Sequence, residues 1–143
     1  MKLLDAAALI AFLRGEPAQG EVEEILREPD ASISAVNLAE VVDQLVRRGG
    51  LAPEQVEAVL AGLLDDALEV LACETSHALQ AGNLRARHYH RRSAPLSLGD
   101  CVLLATAQAA GVVVSSDRVL LAIARAEGLD VRALPDSQGR RPR

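Results

Sequence analysis

Short apolar runs alternate along the chain with longer segments in which apolar residues recur at helical spacing. The short runs are typical of buried β-strands, and the periodic segments are typical of amphipathic helices. The predicted strands cover 2–4, 31–34, 68–71, 112–114 and 130–134. The predicted helices cover 6–13, 18–27, 36–48, 53–65, 74–92, 97–110 and 118–127.

The residues between these segments are typical helix boundaries. Gly49 and Gly50 end one helix, and Pro53 opens the next. Because strands and helices alternate, the sequence predicts an α/β fold of three layers, α/β/α, with a central, mainly parallel sheet of four to five strands. One domain is predicted over 1–134. Residues 135–143 carry no periodicity and are predicted to be a disordered tail.

The composition limits the classes of function. At 143 residues the chain is long enough for one domain with one core. Its net charge of −5 argues against a protein that holds nucleic acid through a generally basic surface. An acidic chain can still be a nuclease if its carboxylates surround metal ions. Asp5, Arg14 and Glu16 interrupt the apolar amino terminus, so we expect no export signal, no membrane span and a cytoplasmic location.

Four acidic residues stand where a parallel α/β sheet gathers functional side chains. Asp5 and Asp117 follow the first and fourth predicted strands, and Asp100 opens the helix that leads into the fourth strand. The carboxyl ends of parallel strands and the amino ends of the adjoining helices share one edge, so we expect these three carboxylates to converge there. Glu40 lies on the polar side of its helix and is expected to reach the same edge from one flank.

Each acid also has an ordinary structural interpretation. Ser97-x-x-Asp100 has the form of a capping box, and Asp5 and Asp117 could each cap the helix that follows. Glu40 could be a solvated helix residue. These interpretations explain each position singly, but they do not predict that the four acids meet.

A meeting of the four carboxylates would need a counter-charge. Two carboxylates about 6 Å apart repel by roughly 3 kcal/mol at an effective dielectric of about 20. Oxygen ligands without histidine or cysteine select a hard cation, so the expected cofactor is Mg²⁺ or Mn²⁺. Such an ion lowers the pKa of a bound water and polarises a phosphoryl oxygen, which indicates phosphodiester hydrolysis.

Four segments of the chain resemble the acidic motifs of PIN domains, in the same order and with similar spacing. They read LLDAAALIAFL at 3–13, ISAVNLAEVV at 33–42, LSLGDCVLLATAQAAG at 96–111 and VVVSSDRVLLAIARAEGLDV at 112–131. The likeness spans nearly the whole chain and is strongest with the VapC-type toxins of prokaryotic toxin–antitoxin pairs. The resemblance therefore implies a PIN-like fold and ribonuclease activity.

The resemblance also implies roles for individual residues. Asp5, Glu40, Asp100 and Asp117 would form the metal-binding catalytic centre, with Asp5 and Asp100 as central ligands. The Ser115 hydroxyl would orient the loop that carries the fourth acid. The implied reaction is endonucleolytic cleavage of single-stranded or loop RNA by a metal-activated water, leaving a 5′-phosphate and a 3′-hydroxyl. The implied partners are RNA, a cognate antitoxin and a second copy of the chain in a homodimer.

The chain departs from the family pattern at two positions. Ala6 stands where many members carry a serine or threonine after the first acid, and Arg118 opens a stretch in which an aromatic residue is common. Neither change removes a ligand. Both bear on substrate preference and rate more than on the chemistry.

The segment 83–93 concentrates basic and aromatic side chains. Arg85, Arg87 and Arg91 are predicted to hold RNA phosphates, and Tyr89 is predicted to stack on a base. The alternative is a solvated helix whose charges only keep the protein soluble. The sequence leaves both interpretations open.

Other function classes fit the sequence less well. The chain could be a PIN-like domain that binds RNA or protein without cutting, but it retains all four acids. A receiver domain would need a late lysine, whereas Lys2 is the only lysine, and nucleotide binding lacks its glycine-rich phosphate loops. A structure-specific DNA nuclease would use the same acids but needs additional DNA-gripping elements. A zinc site is disfavoured because His77, His88 and His90 lack paired ligand spacing.

Overall fold

Five strands form one sheet in the computed structural model, which describes residues 1–108 and 111–143. The strands are β1 (Lys2–Leu4), β2 (Ala31–Ser34), β3 (Glu69–Leu71), β4 (Val112–Ser115) and β5 (Asp130–Ala133). Their order across the sheet is β3-β2-β1-β4-β5, and every pairing between neighbours is parallel. The predicted mainly parallel sheet of four to five strands is confirmed.

Seven α-helices within the described residues connect and flank the strands. They are α1 (Ala6–Arg14), α2 (Gln19–Leu26), α3 (Ala35–Asp43), α4 (Pro53–Asp66), α5 (Thr75–His88), α6 (Leu98–Ala107) and α7 (Arg118–Ala126). The helix predicted over 36–48 begins as α3 and continues as a π-helical turn over Gln44–Arg48. The predicted end of α6 at Ala110 lies outside the described residues.

The helix α5 ends four residues earlier than the sequence predicts. Tyr89 has extended backbone angles, and His90 and Ala94 pair as an isolated antiparallel bridge. The His90 Nδ1 atom accepts the backbone N–H of Ser93 at 3.2 Å. A side chain that bonds the backbone locally competes with helix formation, so the turn replaces the last part of the predicted helix.

The sheet is covered on both faces. Leu4 belongs to the core formed with α1 to α4, whereas its neighbour Leu3 belongs to the core formed with α5 to α7. Both leucines are fully buried, as expected for a strand whose successive side chains point to opposite faces. The predicted three-layer α/β/α architecture is confirmed.

Strand register brings three polar residues to one edge of the sheet. Leu4 pairs with Ile33 of β2 on one side and with Val114 of β4 on the other. The residues that follow these positions are Asp5, Ser34 and Ser115, so they lie side by side at the carboxyl edge. This edge carries the candidate site.

Residues 135–143 contain no helix or strand but contact the rest of the domain. Asp136 Oδ1 accepts the backbone N–H of Arg140 at 2.9 Å, and Arg141 Nη2 lies 2.5 Å from Glu21 Oε1 on α2. The sequence analysis did not predict these contacts, because pairing between side chains distant in sequence leaves no periodic signal. The predicted disorder of this segment stays a prediction. The predicted domain boundary before this segment stays a prediction.

No helix within the described ranges combines the length and the apolar character required to cross a membrane.

Candidate active site

Asp5 is a buried acid at the centre of the carboxyl edge. It follows the central strand β1, and only 5% of its surface is exposed. Its Oδ1 atom accepts the N–H of Ala8 at 2.7 Å, so it caps α1. Its own N–H donates to the carbonyl oxygen of Val114 on β4 at 3.1 Å. The turn from strand to helix is therefore anchored at both its backbone and its side chain.

Ser115 connects the first and the fourth acid. It is fully buried at the end of β4, and its hydroxyl donates to Oδ2 of Asp5. The Ser115 Oγ atom also accepts the backbone N–H of Asp117 at 2.9 Å. One hydroxyl thus couples the carboxylate of Asp5 to the backbone of the loop that carries Asp117.

Asp100 and Asp117 each take part in a helix cap through only one of their two carboxylate oxygens. Asp117 Oδ1 accepts the N–H groups of Val119 at 2.7 Å and Leu120 at 3.0 Å. Asp100 Oδ2 accepts the N–H of Ser97 at 2.9 Å in a capping box. Asp117 Oδ2 and Asp100 Oδ1 make no hydrogen bond to any described residue. The capping interpretation is correct for both acids, and it leaves these two oxygens available to a ligand.

Glu40 is half-buried on α3 and is held by a chain of buried polar side chains. Ser34 caps α3 and donates its hydroxyl to Asn37 Oδ1 at 2.5 Å. Asn37 Nδ2 in turn donates to Glu40 Oε2 at 3.1 Å. Ser34 and Asn37 are both fully buried, so Glu40 is positioned by the fold rather than solvated. The sequence analysis missed Asn37, although its i, i+3 spacing from Glu40 is a signal for such a contact.

Gly99 leaves the space in which the Glu40 carboxyl group lies. A Cβ atom at Gly99 would be 2.7 Å from Cδ and 2.8 Å from Oε2 of Glu40, which is closer than real contacts allow. Glu40 therefore packs against the first turn of α6, one residue from Asp100. The sequence analysis also missed Gly99. The available signal was a glycine inside the first helical turn, where this residue type lowers helix stability.

The pKa values of Asp5, Glu40 and Asp100 are raised by burial and by neighbouring negative charges. The pKa of Asp5 is raised from 3.8 to about 7, mainly by burial, and the charges of Asp100 and Asp117 contribute. Burial also raises the pKa of Asp100, with a contribution from Asp117. The pKa of Glu40 is raised by burial and by the charges of Asp100 and Asp43. Asp5, Asp100 and Asp117 thus lie within range of one another's charge, and Glu40 lies within range of the charge of Asp100.

The donor set suits a hard divalent cation, although the side chains do not form a complete cage. In residues 1–108 and 111–143, no three carboxyl, imidazole or thiol groups stand close enough to hold a metal ion as they are placed. Mg²⁺ does not need such a cage, because it is usually held by one or two carboxylates and keeps several waters. The free oxygens of Asp100 and Asp117 and the buried carboxyl of Asp5 are all oxygen donors. The chemistry of these donors fits Mg²⁺ or Mn²⁺.

Arg85 and Tyr89 contact each other on the surface of α5. The Arg85 guanidinium lies 4.3 Å from the centre of the Tyr89 ring, and its Nε donates to the carbonyl oxygen of Leu96 at 3.1 Å. Tyr89 and Leu98 remain exposed beside this pair and line a shallow cavity of about 300 Å³. Contact of this surface with RNA stays a prediction.

Arg87 forms an ion pair with Glu127 at the carboxyl end of α7, whereas Asp117 lies at the amino end of this helix. Its Nη2 atom donates to both carboxylate oxygens of Glu127, at 3.0 and 2.8 Å. His88 Nε2 lies 2.5 Å from the same carboxylate. The α7 helix spans about 14 Å at 1.5 Å per residue, which separates this pair from Asp117. RNA binding by Arg87 or by the exposed Arg91 stays a prediction.

Solved structures similar to this chain include two VapBC structures and one described as a toxin–antitoxin complex. DNA-bound VapBC from Salmonella typhimurium has a TM-score of 0.68 and 25% identity, covering 92% of this chain and 98% of that chain. VapBC-1 from nontypeable Haemophilus influenzae has a TM-score of 0.66 and 18% identity, covering 96% and 98%. A toxin–antitoxin complex from Klebsiella pneumoniae has a TM-score of 0.60 and 20% identity, covering 82% and 87%.

Comparison with curated proteins returns no match. The family model described as PIN domain matches residues 2–126. This match includes Asp5, Glu40, Asp100 and Asp117, the four acids at the carboxyl edge. Because it covers most of the sequence and agrees with the fold, the chain belongs to the PIN-domain family.

Proposed function

We propose that this chain is a Mg²⁺- or Mn²⁺-dependent endoribonuclease that cuts single-stranded or loop RNA, and that it is the toxin of a toxin–antitoxin pair. The observation that carries the proposal is the buried carboxyl of Asp5, with the charges of Asp100 and Asp117 close enough to raise its pKa. Helix caps do not require these acids to lie together, and placing buried Asp5 beside two further negative charges costs stability, because ionised Asp5 is desolvated and repelled by them. Such a cluster is expected where a cation is to be bound.

The residues of the chain divide into ligands and groups that position them. Asp5 and Asp100 are proposed as the central ligands, and Asp117 and Glu40 complete the site. Ser115, Asn37 and the two helix caps hold these carboxylates in place before a ligand arrives, which is the arrangement that favours catalysis. When bound, the cation would supply a water of lowered pKa and positive charge for a phosphoryl oxygen.

The toxin assignment is supported by likeness to solved VapBC complexes and to a toxin–antitoxin complex. A cognate antitoxin is therefore the proposed protein partner, and a homodimer is the proposed assembly. As the sequence predicts, we place its action in the cytoplasm. The alternative within the family is a domain that binds RNA or protein without cutting. The presence of all four acids favours the enzyme.

Cleavage of defined RNAs, with DNA of the same sequence in parallel, tests the proposed activity. We expect the native chain to cut RNA in Mg²⁺ and not in EDTA. Asp100→Asn keeps an oxygen for the Ser97 N–H, so it retains the cap while losing the charge. We expect it to lower the cleavage rate by about a hundredfold or more.

Asp66→Asn is the matched control, because Asp66 is an exposed acid at the end of α4. It should cut RNA at the native rate. Cleavage that persists in EDTA, or equal rates for Asp100→Asn and Asp66→Asn, would remove the proposed mechanism. Cleavage of DNA but not RNA would reject the substrate assignment alone.

A further inference from the structure

The C-terminal segment leaves the sheet beside the fourth acid. Strand β5 lies next to β4, with Ala133 paired to Ser115, and both strands end at the carboxyl edge. The N–H of Leu134 donates to the carbonyl oxygen of Ser115 at 2.8 Å. Residues 135–143 therefore start next to the loop that carries Asp117.

Hydrogen bonds within residues 135–143 and contacts with the rest of the domain keep this segment close to the carboxyl edge of the sheet. Asp136 Oδ1 accepts the N–H groups of Gln138 and Arg140 at 2.9 Å each, which closes a compact turn. Arg141 pairs with Glu21 on α2 and donates to the carbonyl oxygen of Ala133. The charge of Arg141 is thus used to anchor the segment.

The anchored segment and the start of α7 enclose a cavity of about 410 Å³. Its lining residues are Ser116, Arg118, Asp136, Arg140, Arg141 and Pro142. Ser116 and Arg118 flank Asp117 directly in the chain. Three of the six lining residues are arginines, in a chain whose acidic side chains outnumber its basic ones, 20 to 15. The lining thus carries three positive charges and one negative charge, that of Asp136, at the border of the acidic site.

Two of the three arginines have hydrogen-bond donors to offer. Arg118 forms no ion pair with any residue in the described ranges. Arg140 bonds Asp136 through Nε and Nη2, at 3.0 and 2.9 Å, and 72% of its side chain is exposed. A guanidinium carries five N–H donors, so Arg140 keeps its Nη1 group for another acceptor.

We propose that this cavity is a phosphate-binding subsite for the RNA backbone, with Arg118 and Arg140 as its donors. The inference rests on the proposed function, because it assumes that a polyanionic strand is held at the neighbouring acids. A net charge of −5 repels such a strand over most of the surface, so binding depends on local groups of arginines. The planar donor fork of arginine matches a phosphate oxygen pair.

Binding of labelled single-stranded RNA to the full-length chain in EDTA tests the subsite without requiring cleavage. Fluorescence anisotropy across a salt series gives the affinity and its salt dependence for Arg118→Gln, Arg140→Gln and the double variant. We expect the double variant to bind about tenfold more weakly. The slope of log affinity against log salt should fall by about 1.4, which is about 0.7 for each lost phosphate contact on a single strand.

Two further variants separate charge from structure. Arg27→Gln is the matched control, because Arg27 pairs with the acid four positions before it, Glu23, as Arg140 pairs with Asp136. It should keep the native affinity and slope. Arg118→Lys retains the charge without the planar fork, so it should recover the salt slope lost in Arg118→Gln but only part of the affinity.

The outcomes distinguish this subsite from the proposed activity. The subsite is rejected if the double variant matches Arg27→Gln in affinity and slope, or if the native chain shows no salt-dependent RNA binding. RNA cleavage by the native chain would still stand in the first case. If the arginine variants lose binding while the native chain cuts no RNA in Mg²⁺, the nuclease proposal fails and the subsite stands.

Discussion

Replacing Asp5 by asparagine removes a buried negative charge and keeps the shape of the side chain. The asparagine Oδ1 atom can still accept the N–H of Ala8, which caps α1. Its amide can face the Ser115 hydroxyl, whose oxygen has a second lone pair beside the one used by Asp117. The substitution therefore tests charge with little change in packing.

The expected effect on stability follows from the pKa of Asp5, which is raised from 3.8 to about 7. The folded state binds this proton more tightly than the unfolded state. The contribution of Asp5 to stability is therefore greatest below pH 3.8 and is lost as the pH rises to about 7. At 1.36 kcal/mol per pKa unit, the rise in pKa from 3.8 to about 7 corresponds to a loss of at most about 4 kcal/mol in the free energy of unfolding. Asparagine does not titrate, so the variant escapes this loss.

Urea denaturation in EDTA, followed at several pH values between about 4 and 8, measures the difference. We expect the native chain and Asp5→Asn to be similar at the acidic end. At the alkaline end Asp5→Asn should be the more stable of the two, although it should cut no RNA. Added Mg²⁺ should reduce the advantage, because a bound cation offsets the charge in the native chain alone.

Asp30→Asn is a control for which we expect the opposite effect on stability at neutral pH. Asp30 accepts from Lys2 and lies near the amino terminus, and these partners lower its pKa. Ionised Asp30 therefore favours the folded state at neutral pH, and its replacement should destabilise the protein there. If Asp5→Asn were less stable than the native chain at every pH, the view that Asp5 is a strained buried acid would be wrong.

Two further predictions concern how Glu40 is positioned. Gly99→Ala should push the Glu40 carboxyl aside and lower RNA cleavage about tenfold or more without lowering the melting temperature, because alanine favours the helix. Gly62→Ala, in α4 with open space around it, should cut normally, and equal cleavage by both variants would contradict this packing. Asn37→Leu should cost about 1–3 kcal/mol of unfolding free energy and reduce cleavage. The exposed Asn83→Leu should change stability by under about 0.5 kcal/mol, and equal losses would count against the buried contact.

Much of the fold and the location of the acids could be predicted because both depend on local signals. Hydrophobic periodicity marks each strand and helix within a few residues of its place. The caps formed by Asp5, Asp100 and Asp117 are bonds to residues two or three positions away, so they are visible as short motifs. The alternation of strand and helix then brings these three acids to one edge, since parallel strands share their carboxyl ends.

Only the tertiary structure decided how the acids are held and which arginine side chains form ion pairs. Ser115 and Asp5 are separated by 110 positions, and Arg141 and Glu21 by 120. No pattern in the sequence predicts such pairs, because they depend on strand register and on the space left by other side chains. The same holds for Gly99, whose missing Cβ matters only because α3 delivers Glu40 against α6. Local chemistry sets the elements, whereas long-range packing sets the distances on which binding and catalysis depend.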